Sequence, residues 1–96
     1  MKLSEKILAW ANDKDLLKSE NISKQFKKLK EEVGELGVEI NEHNNDSAIM
    51  ELGDCLIVLE IIAYQLGSST KYCKNLAYDK IKNRTGKTEN GNFVKD

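Results

Sequence analysis

A single all-α domain, built as a bundle of four helices, is what this chain of 96 residues predicts. Three observations carry the expectation. Proline is absent and aromatic residues make up only 6% of the chain, a composition poor in strand formers. Charged residues at 32% beside a hydrophobic fraction of 40% suit a soluble, helix-rich domain. Along most of the chain the apolar residues recur at steps of three and four, the spacing of one helix face.

Each element follows from that spacing. The first helix is expected over Ser4 to Ala11, with Ile7, Leu8 and Trp10, after which "ANDKD" loosens the pattern. The second runs from Ser23 to Asn41, where Ile22, Phe26, Leu29, Val33, Leu36 and Ile40 form an amphipathic stripe. The loop "NEHNNDS" ends it and offers Asp46 or Ser47 as a cap for the third helix. That helix, Ala48 to Leu66, is apolar on nearly every side beyond Cys55 and closes at Gly67. Ser68 to Thr70 can cap a fourth, Lys71 to Arg84, which ends at Gly86. The tail "KTENGNFVKD" has no helical period. Without repeats, low-complexity segments or a linker, residues 1–96 read as one domain. A helix apolar all round is buried all round, and so short a chain can hardly wrap one. The third helix therefore predicts a homo-oligomer, dimer or tetramer, in which a second copy covers part of it.

Composition also excludes. A net charge of −1 creates no field to recruit a nucleic acid polymer or an anionic membrane. In "MKLSEKILAW" Glu5 and Lys6 interrupt any signal-peptide core, and the apolar stretch Cys55 to Ala63 is too short to span a bilayer. Cys55 and Cys73 form no CxxC pair and read as two reduced, buried thiols. The expectation is a cytoplasmic protein.

Against this ordinary background stand "EEVGELG", Glu31 to Gly37, and "ELGD", Glu51 to Asp54. Each places carboxylates three residues apart, on one helix face. At about 100° per residue, with Leu29 at zero, Glu32 falls near −60° and Glu35 near −120°, on the shoulder of the stripe with Gln25. Glu31 faces solvent at about 200°. Glu51 and Asp54 share a face with Val58 and Ile61, while Glu60 points the opposite way. Two helices joined by a short loop would bring Glu32, Glu35, Glu51 and Asp54 together. Four carboxylates without His or Cys among them suit a hard divalent cation, Mg²⁺ or Mn²⁺, and through it a polyphosphate. Glu31, Glu39, Glu42 and Glu60 read instead as solvated helix faces.

"EEVGELG" followed by "ELGDCLIVL" resembles the EExxE…ExxD signature of the MazG-like, all-α nucleoside triphosphate pyrophosphohydrolases. "KQFKKLKEEVGEL" is similar to that family's second helix, and "YDKIKNRTGKTENGNFVKD" to the C-terminal end of its small, single-domain, phage-type members. The resemblance implies Mg²⁺-dependent hydrolysis of a nucleoside triphosphate to the monophosphate and pyrophosphate, a housecleaning role for the nucleotide pool. Carried over, Glu32, Glu35, Glu51 and Asp54 would be the metal ligands, and Glu35 the preferred residue to orient or deprotonate the attacking water. Lys80, Asn83, Arg84 and Lys87 cluster at a helix end, where they either solvate it or, as the resemblance implies, bind phosphate. Trp10 reads either as core or as a stacking platform for a nucleobase. Gln25 and Lys28 are candidate pocket residues, His43 is expected in solvent, and Tyr64, Tyr72 and Tyr78 in packing. The rival classes are a non-catalytic helical regulator that binds nucleotides or a partner, and a purely structural oligomer.

Overall fold

A computed structural model describes all 96 residues. The chain forms α1 (Leu3–Asp13), a 3₁₀ turn (Ser19–Asn21), α2 (Ile22–Asn41), α3 (Asn45–Gln65), α4 (Thr70–Ile81), and two strands, β1 (Gly86–Glu89) and β2 (Asn92–Lys95). All four expected helices form. Their ends depart from expectation in ways that local chemistry explains. Neither Asp46 nor Ser47 caps α3: the helix starts earlier, after Asn44, whose side chain makes no capping bond. Asp46 lies instead in the first turn, where its charge meets the positive end of the helix dipole. The connection from α2 turns on His43, exposed and left-handed at φ 59°, with the Asn44 N–H bonded back to the Glu39 carbonyl. Gly67, at φ 75°, closes α3 as expected. Ser69 caps α4, its hydroxyl accepting from the Tyr72 N–H at 3.1 Å.

At the other end α4 stops at Ile81, three residues short of Arg84, and the tail becomes an antiparallel hairpin. Asn90 and Gly91, at φ 51° and 80°, form its two-residue turn. Both left-handed positions suit the type I′ geometry that matches the twist of paired strands. The Asn-Gly pair announces this turn, but a reading for helical period passes over it. The fold is thus mostly helical with a small β appendage.

α2 and α3, joined by a three-residue loop, pack against each other along their length, and α1 lies on α3. The core is small. Only eight residues are buried, five of them apolar: Ala11, Cys55, Val58, Ile61 and Ala63. The face that α2 turns inward is Ile22, Gln25, Leu29, Glu32, Leu36 and Glu39. It is rotated from the apolar stripe towards the carboxylate shoulder, and Phe26, Val33 and Ile40 remain more than half exposed. Several of α3's apolar residues, Leu52, Leu56 and Leu59 among them, also face out of the chain.

Three expectations are corrected here. Glu60 does not solvate a helix face; it is buried, and its carboxylate accepts a hydrogen bond from the Thr70 hydroxyl, tying the start of α4 to α3. Cys73 is an exposed thiol, because every residue from 71 onward is exposed, whereas Cys55 is buried as expected. Tyr64, Tyr72 and Tyr78 likewise pack against little within the chain. No helix is long and apolar enough to cross a membrane.

Removing the Ser69 cap with Ser69→Ala should cost α4 about 1 kcal/mol. Hydrogen exchange should show this as faster exchange in the first turn of α4, with α2 and α3 unchanged.

Candidate metal centre and adjoining cavity

The rotation of α2 delivers Glu32 to the interior, at 6% exposure, between α2 and α3. Glu35, one turn on and exposed, and Glu51, partly buried on the facing helix, complete a group whose carboxylate oxygens lie within 4.8 Å of one another. Asp54 follows Glu51 by one turn. Its oxygens stand outside that group, yet its charge acts on Glu51 and its side chain lines the adjoining cavity.

The electrostatics are those of crowded carboxylates. The Glu51 carboxyl is pushed up to about 7, by burial first and then by the nearby carboxylates of Glu35, Asp54 and Glu32. Lys28, one turn before Glu32, supplies the nearby compensation: its ammonium sits 3.0 Å from Glu32 Oε1, an interaction that holds the lysine above its ordinary range. The Cys55 thiol is also pushed up, by burial first and then by Glu32, Glu51 and Asp54, so it stays protonated. One oxygen each of Glu32 and Glu51, Oε2 in both, is buried with no hydrogen-bond partner. Orphaned carboxylate oxygens are costly unless something positive meets them. An all-oxygen donor set with two such oxygens fits a hard divalent cation of the Mg²⁺ or Mn²⁺ type.

Beside this centre opens a cavity of about 670 Å³. Its apolar wall is Ile7, Trp10 and Leu16 on one side and Ile57, Val58 and Ile61 of α3 on the other. Lys6, Gln25, Lys28, Glu32 and Asp54 supply polar groups. The structure thus brings Gln25 and Lys28, the candidate pocket residues, and Trp10 to one cavity that shares Glu32 with the carboxylate centre and is also lined by Asp54. Trp10 is 52% exposed, a wall residue and not a core one. The basic group is not brought there: Lys80, Asn83, Arg84 and Lys87 are exposed and none lines the cavity. Lys87 instead pairs with Glu89 at 3.3 Å. Lys6 and Leu16 line the cavity without having been singled out in the sequence. Lys6 flanks Ile7 on the turn that precedes Trp10, but nothing in the pattern could show that the loop after α1 folds back to place Leu16.

Acidic side chains from two helices, beside a largely apolar cavity, define a helical domain whose all-oxygen cluster could hold a metal ion. The sequence profile of the MazG nucleotide pyrophosphohydrolase domain matches residues 20–87, which take in α2, α3, α4 and both carboxylate motifs, and the chain belongs to that family. It is also 38% identical over 63 residues to an uncharacterized 18.2 kDa protein from the rep–hol intergenic region of Haemophilus phage HP1. That match covers 66% of this chain and 39% of the phage protein. No solved structure matches the chain.

Stability should reveal the raised carboxyl. In the fold Glu51 keeps its proton up to about pH 7, against a value of 4.5 for an unperturbed glutamate. Between those values the folded chain binds more protons than the unfolded one, so stability without metal falls as pH rises and levels off above pH 7. Melting in EDTA should therefore show a decline from about pH 5 to 7.5 that Glu51→Gln removes. Added Mg²⁺, which competes with that proton, should stabilise the wild type more at pH 7.5 than at pH 5.

Proposed function

We propose that the chain is a Mg²⁺-dependent nucleoside triphosphate pyrophosphohydrolase, yielding the monophosphate and pyrophosphate, with Mn²⁺ able to substitute. The observation that carries this reading is that Glu32 belongs both to the carboxylate centre and to the lining of a largely apolar cavity, which Asp54 also lines. Membership of the MazG family supports it. Glu32, Glu35 and Glu51, with Asp54 completing the set, would hold the cation. Bound there, the cation would supply positive charge to the triphosphate and Lewis acidity at its phosphorus.

The remaining work falls to side chains. The cavity takes the base, with Trp10 as the stacking surface and the Gln25 amide as a hydrogen-bonding partner. Lys28, whose ammonium sits 3.0 Å from Glu32 Oε1 on the cavity lining, would meet a phosphate oxygen of the bound nucleotide. Glu35, the exposed member of the centre, orients or deprotonates the attacking water. The exposed ridges of α2 and α3 are assigned to a second copy, in a dimer or tetramer. Lys80, Asn83, Arg84 and Lys87 are assigned to phosphate contact in that assembly. Removal of unwanted nucleotides from the cytoplasmic pool is the corresponding role.

Incubation with a panel of ribo- and deoxyribonucleoside triphosphates and Mg²⁺ tests the chemistry. Pyrophosphate, not orthophosphate, should be released from at least one of them. Cation binding without hydrolysis of any nucleotide would favour a non-catalytic regulator. Glu32→Gln should lose activity by more than about 10–100-fold, the loss common even for groups that only support a metal ligand. Glu31→Gln, on the solvent face, should stay close to wild type.

Assembly is tested separately. Sedimentation should find the chain at a multiple of its own mass at micromolar concentration. Leu56→Glu, at a side chain 58% exposed in the single chain, should dissociate it. A stable, compact monomer of wild-type sequence would overturn the assignment.

A further inference from the structure

Outside the carboxylate centre, the other buried polar side chain with an unpartnered atom is Gln65, the last residue of α3, at 7% exposure. Its Nε2 donates to two backbone carbonyls, Leu16 and Lys18, each at 3.1 Å. A primary amide has two N–H donors, and both are used here. The carbonyls lie 49 and 47 residues away in sequence, on either side of Leu17, in the loop between α1 and the 3₁₀ turn. This loop turns through Asp15 at φ 61°, and the Leu16 N–H is itself bonded to the carbonyl of Ala11 near the end of α1.

α1 needs such an anchor. It carries Lys6, Ile7 and Trp10 into the cavity wall, yet Ala11 is its one buried residue, and its packing is chiefly on α3. A helix with so little buried area is weakly held by apolar contact. We propose that Gln65 is a positioning residue for the nucleotide: by gripping the 16–18 loop it holds the α1 wall, and Leu16 with it, against α3. The proposal rests on the nucleotide-binding reading of the cavity. Eleven residues separate Gln65 from Asp54, about 16 Å along a helix, so releasing the loop disturbs the wall and leaves the carboxylate centre in place. Affinity for the nucleoside part should fall while the polyphosphate part is still held.

Gln65→Met keeps the side-chain volume and removes both donors. In the full-length chain, hydrogen exchange should show amides of residues 3–18 losing protection while those of α2 and α3 keep theirs. Equilibrium binding can be measured with Ca²⁺ replacing Mg²⁺, using dATP, dCTP, dGTP and dTTP beside inorganic tripolyphosphate. The variant should bind the nucleotide that wild type prefers roughly tenfold more weakly, as expected for the loss of one or two net hydrogen bonds. Its affinity for tripolyphosphate should be unchanged. With the hydrolysed nucleotide and Mg²⁺, KM should rise and kcat hold. Unchanged exchange in α1, loss of protection throughout the chain, or equal weakening of nucleotide and tripolyphosphate would each overturn the proposal. Failure of wild type to bind any nucleotide would instead sink the functional reading, and the exchange result would then decide the clamp on its own.

Discussion

The packing of α2 on α3 places a carboxylate where a hydrophobic residue would ordinarily sit, and the rest of the molecule is arranged around that placement. Had α2 turned its apolar stripe fully inward, Phe26, Val33 and Ile40 would fill the interface and Glu32 would lie at its edge. The inward line runs instead through Gln25, Leu29, Glu32 and Leu36. A buried carboxylate without a partner is expensive, so this phase of packing persists only if something offsets it. Lys28 meets one oxygen of Glu32; the other has no partner within the chain.

From that single rotation two consequences follow together. The carboxylates of Glu32, Glu35 and Glu51 gather with repulsive proximity, and the proton that Glu51 retains becomes part of the energetics of the fold. A ligand that binds only the folded chain stabilises it, by about 2.7 kcal/mol at a hundredfold excess over its dissociation constant. The same rotation leaves apolar surface of α2 uncovered, which gives the domain a small internal core and a broad exposed apolar exterior.

The uncovered surface shapes the way the remaining parts are held. α1 is fixed by one buried alanine and by the Gln65 amide, and α4 by the Ser69 cap and the buried hydrogen bond between Glu60 and Thr70. Polar, directional contacts thus position the peripheral elements, whereas apolar packing is concentrated between α2, α3 and Ala11. Directional bonds fix a geometry with little buried area, which suits elements that border a cavity.

Much was legible in the sequence by itself. Period and composition determine four helices, because the 3.6-residue repeat is a local property. The i, i+3 carboxylates, and the choice of Glu32 over Glu31, follow from the same geometry, as does the place of Gln25 and Lys28 on the carboxylate shoulder; Trp10 was left open between core and stacking platform. Other features were decided by contacts between segments distant in the chain. Glu60 lies opposite the metal face and so looks solvated; it is buried because α4 returns to meet it at Thr70. Cys73 looks like a core thiol, yet α4 leaves the body and exposes it. The basic cluster from Lys80 to Lys87 follows α4 outward, so its distance from the cavity was not readable from residue spacing. Leu16 enters the cavity wall in a loop whose carbonyl bonds Gln65, 49 residues later, a contact that residue spacing does not show. A helical period states which residues share a face; which face meets which partner is set by tertiary packing.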